Sequence, residues 1–199
     1  MLDALRRRAL RLEWFTVAWN VLEAAVAIAA GIVAGSIALL GFGLDSVIET
    51  ASAGILLWRL RQTGEAEEAA ERRAVRLVGL SFFALAAYVT WEAVSALLHR
   101  SQPESSLPGI ALAVASLIVM PLLTRAKLRL ARQMNSKALA ADSKETLACS
   151  LLSATLLVGL LANALLGWWW ADAVAALGIV VFLLREGWEA FEEDRKSVV

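Results

Sequence analysis

The sequence predicts an all-α, polytopic membrane protein with six transmembrane helices. Three observations predict it. Apolar residues make up 59% of the 199-residue chain and charged residues only 19%, where a soluble domain runs nearer half and a quarter. The apolar residues fall in runs close to the ~20 that a helix needs to cross a bilayer. Lysine and arginine are one-sided: eighteen of the nineteen lie in the segments on one side of the spans, leaving Arg100 opposite. That asymmetry orients helices in a membrane.

Taken in order, the first span covers 13–34, preceded by Arg6, Arg7, Arg8 and Arg11 and opened by an interfacial Trp14. Asn20 and Glu23 lie inside it, three apart and on one helix face. Gly35-Ser36 breaks the run, and a second span follows at 37–58 with Asp45 and Glu49 in its interior. After the Gly64 linker, residues 62–76 mix acids and bases at helical spacing. They read as a solvated helix continuing into a third span at 74–98. Glu92 falls near the outer end of that span, and His99, beside Arg100, reads as a surface histidine.

Pro103 to Pro108 interrupts the pattern before a fourth span at 109–124, which carries a helical extension with Arg125, Lys127, Arg129 and Arg132 in the fourth linker. Asn135-Ser136 and Gly167 punctuate the remainder. They bound a fifth span at 140–166 and a sixth at 168–185, whose Trp168, Trp169 and Trp170 sit at the membrane interface. Asp172, just after them, reads as a helix cap. The charge pattern places both termini in the cytoplasm, in a bacterial-type inner membrane. The expected organisation is one membrane domain over 1–190, in two three-helix halves of about 12–98 and 109–190, with a short tail at 191–199. A net charge of zero argues against a nucleic-acid partner. The single Cys149 cannot form an intramolecular disulfide, and no cleavable signal peptide is evident.

One pattern occurs twice, in register, one hundred residues apart. The first copy is Ser36-x-Ala38-Leu39 followed by Asp45 and Glu49; the second is Ser136-x-Ala138-Leu139 followed by Glu145 and Cys149. Each ends in two metal-capable side chains at i and i+4, on one helix face. Asp45 lies ~14 Å and Glu49 ~20 Å along the helix from Ser36. Against a ~30 Å hydrocarbon core, both are deep. Ionisable groups at such depth mark ion sites by default, and four ligands from two helices suffice for a tetrahedral centre. The second and fifth spans run antiparallel, so the copies occupy matching places in inverted halves, a recurrent transporter design. Other readings remain open. Asp45 and Glu49 could cap a helix end or face a vestibule, Glu145 could pair with Lys144 at the boundary, and Cys149 could be packing. Asn20, Glu23 and Asp142 are candidates for a secondary ion or proton path.

These residues resemble the cation diffusion facilitator family of divalent-metal transporters, over about residues 12–190. Ala38-Leu39-Leu40-Gly41 leading to Asp45 and Glu49 is similar to the family's second-helix frame. Ala141-Asp142-Ser143-Lys144-Glu145 with Cys149 is similar to its fifth-helix A-D-A-x-H-x-x-x-D frame, with Glu for His and Cys for Asp. The resemblance implies six spans, a metal site at Asp45, Glu49, Glu145 and Cys149, and a homodimer. The chain departs from the family in lacking a cytoplasmic C-terminal domain, a histidine in the site and a His-rich linker, which points to a short branch. A thiolate among the ligands favours Zn²⁺, Cd²⁺ or Co²⁺ over Mg²⁺ or Ca²⁺, and Zn²⁺ is the expected cargo. Three carboxylates and a thiol must release protons to take a divalent cation, so H⁺ is the expected counter-ion, in antiport by alternating access. The competing expectation is a non-transporting metal sensor or accessory subunit. An enzyme is not expected, because the spans contain no nucleophile–base pair.

Overall fold

A computed structural model describes residues 2–34, 37–100 and 107–196. It contains six helices and, among the described residues, no strand: α1 (Leu2–Ala34), α2 (Ile37–Arg59), α3 (Glu65–His99), α4 (Leu107–Met134), α5 (Lys137–Leu166) and α6 (Ala171–Lys196). The chain is therefore all-α and polytopic. Helices α1 to α5 each contain a stretch long and apolar enough to cross a membrane. In α6 the continuous apolar run ends at Leu184, and the remaining turns mix charged residues with Trp188, Ala190 and Phe191. The helices outrun the spans read from hydropathy because charged turns continue the same helix past the apolar boundary. The mixed-charge segment after Gly64 does join α3 without a break.

Local chemistry explains the breaks. Gly64 and Gly167 adopt positive φ, at 64° and 69°, where a Cβ would be strained. Gly167 closes α5, its N–H bonding to the Asn163 carbonyl at 3.0 Å while that of Trp168 reaches Ala162 at 3.4 Å, a pairing that satisfies the helix's last carbonyls. Asn135 turns the chain at φ 51°, and Ser136 then caps α5, its hydroxyl accepting from the Leu139 N–H at 3.2 Å. The Ser of the second S-x-A-L copy is thus a helix cap. Its counterpart Ser36, with Gly35, lies outside the described residues, as does Pro103. The side chain of Asp172, read as a cap, also lies outside what the structure describes.

The most extensive packing is between α1 and α2, between α3 and α6, and between α4 and α5, with α1 also against α4 and α2 against α5. Helices α1, α2, α4 and α5 therefore surround a common interior, and α3 and α6 pair beside them. Small residues allow close approach. A Cβ at Gly43 would stand 2.6 Å from Ile28 Cγ1 on α1, and one at Gly187 would stand 3.1 Å from the Phe83 ring on α3. The interior holds ionisable and polar groups beside its apolar core: Glu13, Asn20, Glu23, Glu49, Lys127, Asp142 and Glu145 are buried, while Ile32, Val33, Leu122, Val158, Leu161 and Val181 face outward. Buried charges and an apolar outer face are the distribution expected with lipid as the solvent. Trp168 and Trp170 are exposed between α5 and α6, as interfacial aromatics are, and Trp14 is exposed within α1 where the charged N-terminal turns give way to the apolar run.

Candidate cation site

The structure brings the second-helix pair inward. Asp45 is 2% exposed and Glu49 is 1% exposed, one turn apart on the α2 face toward α1 and α5. Gly41, one turn earlier, leaves room on that helix for the Glu92 carboxylate of α3, which lies directly over it. Glu92 is half-buried against α2.

On α5, Cys149 is buried and free of disulfide, seated among Ala27, Phe42, Met120 and Leu123. Its thiol lies in the neighbourhood of the Asp45 and Glu49 carboxylates. Glu145 is equally buried but faces Ser52 on α2 and Ser81 on α3. Lys144, proposed as its partner in the boundary reading, instead pairs with Glu186 and, at 3.3 Å, with Glu189 on α6. So Asp45, Glu49 and Cys149 share one region of the interior, and Glu145 is near enough to Glu49 to interact with its charge. Among the described residues, no three such side chains stand at ion-gripping distance. Their oxygens are nevertheless open to a ligand. Asp45 Oδ2 and both carboxylate oxygens of Glu49 and of Glu145 are buried without a hydrogen-bond donor, an arrangement costly to leave unsatisfied.

Helix α1 contributes a polar stripe. Glu13, Thr16, Asn20 and Glu23 recur at three, four and three residues, and all are fully buried. The spacing is that of one helix face. Glu23 accepts a hydrogen bond from the Ser116 hydroxyl of α4, and its other oxygen and both amide atoms of Asn20 have no partner. Glu23 is close enough to Asp45 and Cys149 to interact with their charge. Asp142, by contrast, is fully engaged: it accepts from Ser52 Oγ at 3.1 Å and from Lys127 Nζ at 2.6 Å.

Lys127, counted from the sequence among the charges of the fourth linker, is drawn into the bundle. The α4 helix continues past Pro121, and Lys127 lies on its inner face, fully buried. Its ammonium is 3.1 Å from Glu13 Oε2 and donates to Thr146 Oγ1 at 3.2 Å as well as to Asp142. Arg59 is buried as well, bound by Glu67 at 3.3 Å and by Glu71. The one signal pointing to Lys127 was its spacing from Ser116, Met120 and Leu123 along α4. His99 is exposed, as read.

The chain matches the cation efflux transmembrane domain family over residues 14–198. It is 27% identical over 175 residues to an uncharacterized transporter of a Synechocystis strain, an alignment covering 84% of this chain and 56% of that protein. It is 26% identical over 154 residues to Transmembrane protein 163 of Xenopus laevis, covering 77% and 55% respectively. The chain thus spans about half the length of the curated relatives it matches.

Proposed function

Since the chain belongs to the cation efflux family, we propose that it is a transporter of divalent transition metals, with Zn²⁺ as the preferred cargo and Cd²⁺ and Co²⁺ as alternatives. The observation that carries this reading is a set of buried carboxylate oxygens without donors, beside a free thiol, in the interior of lipid-facing helices. A cation is the partner such a group lacks. Asp45, Glu49 and Cys149 supply three ligands, and Glu145 joins them by rotating its side chain from Ser52 and Ser81. A soft sulfur with hard oxygens suits Zn²⁺ better than Mg²⁺.

The same groups bind either protons or metal. A divalent cation displaces protons from the acids and the thiol, and protons arriving from the far side displace the cation. Rocking of helices about a fixed site would expose it alternately to each face. With both termini cytoplasmic, as the arginine and lysine pattern supports, net flow exports metal across an inner membrane. Inverted halves at about 12–98 and 109–190 and a homodimer complete the proposed organisation. Zinc uptake into sealed proteoliposomes containing a zinc dye tests the function. Dye response above that of protein-free liposomes supports a transporter, and saturable binding without flux would assign the chain to sensing instead.

A further inference from the structure

The Lys127 ammonium lies where α1, α4 and α5 meet. It is fully buried, 2.6 Å from Asp142 on α5 and 3.1 Å from Glu13 on α1, and Glu49 of α2 lies within its electrostatic reach. Breaking a buried pair strands an uncompensated charge, so such a contact persists only when the helices stay together. Its position along the bundle is specific. Asp142 precedes Cys149 by seven residues, ~10 Å along α5, on the side of Ser136. Glu13 likewise lies between Glu23 and the N-terminal end of α1. The ion pairs therefore stand between Asp45 and Cys149 and the face carrying the α4–α5 connection.

We propose that Lys127 is a positioning residue for cation passage: its ammonium, shared by Glu13 and Asp142, latches α1, α4 and α5 and closes the Asp45–Cys149 site toward that face. The proposal rests on the reading of these residues as a cation path. Opening toward that face requires α1 or α5 to give up a carboxylate–ammonium contact, and Ser52 and Thr146, hydrogen-bonded to Asp142 and Lys127, hold the pairs in register meanwhile.

Cys149 is the chain's sole cysteine, which makes it a native reporter of access. Proteoliposomes of known orientation are treated with a membrane-impermeant cationic methanethiosulfonate, added to one face at a time. Wild-type protein should label slowly from both. Minor open states of such equilibria are ~0.1–10% populated, so Asp142→Asn, Glu13→Gln and Lys127→Met should each raise labelling roughly tenfold, from the face bearing the α1 N-terminal end only. Lys127→Arg should keep labelling slow. Asp142→Asn and Glu13→Gln each retain one ion pair, so the test does not depend on Lys127→Met folding. Unchanged labelling in those two variants, or an equal rise from both faces, would overturn the latch. Zinc flux measured on the same liposomes separates the two ideas: one-sided labelling without flux keeps the latch and removes the transport reading.

Discussion

Cys149 on α5 and Asp45 on α2 are both buried in the same part of the bundle, which brings the two copies of the repeated pattern toward each other. Cys149 is the one soft donor there, and metal choice should follow it. Cys149→Asp should lower affinity for Cd²⁺ and Zn²⁺ by about tenfold or more relative to Mn²⁺, by moving the site toward oxygen donors. Calorimetric titration of the purified protein with the three metals measures this. An unchanged order of affinities would mean that the thiol only packs.

Proton release should accompany metal binding. The proposed ligands are acids and a thiol, each bare only after losing a proton, so metal affinity should rise with pH and fall as pH drops. Glu49→Gln removes one titrating group and should flatten that dependence by roughly one proton. A pH dye and a zinc dye in one liposome preparation follow both fluxes. Zinc movement without proton counter-movement would make the protein a passive conduit, and an unaltered pH profile in Glu49→Gln would shift the coupling role to Glu23.

Stability should depend on Lys127 more than on the site acids. Lys127→Met leaves Glu13 and Asp142 facing each other without a cation, a loss of about 3–5 kcal/mol for a broken buried pair. Adding Glu13→Gln and Asp142→Asn should recover most of it, since removing a buried ion network altogether is often near neutral. Thermal unfolding in detergent gives the comparison. Equal stability of Lys127→Met and wild type would mean that water, not protein, compensates these charges.

Much of this was readable in the residues because membrane spans depend on composition and length alone. Gly64, Asn135-Ser136 and Gly167 punctuate the chain for backbone reasons that need no neighbours. Tertiary pairing was harder to see. Lys127 follows Pro121 and is flanked by Arg125 and Arg129, so hydropathy ends the span there, and only the continuing helix turns it inward. Glu13, beside Trp14, has the same ambiguity. Glu145 and Cys149 share a spacing that puts them on one face, yet Glu145 leans toward α3 while Cys149 leans toward Asp45. A helical register specifies a face to within a wide arc, and the neighbouring Ser52 and Ser81 decide the rest.

The role of Asp45 can be measured most directly by zinc uptake in proteoliposomes of wild type and of Asp45→Asn, which keeps the side chain's shape and removes its charge. One oxygen of Asp45 already lacks a donor, so the variant should melt in detergent at or above the wild-type temperature. Uptake by wild type and a drop to the protein-free background in Asp45→Asn is the predicted result. Asp45→Asn carrying zinc at the wild-type rate would contradict it.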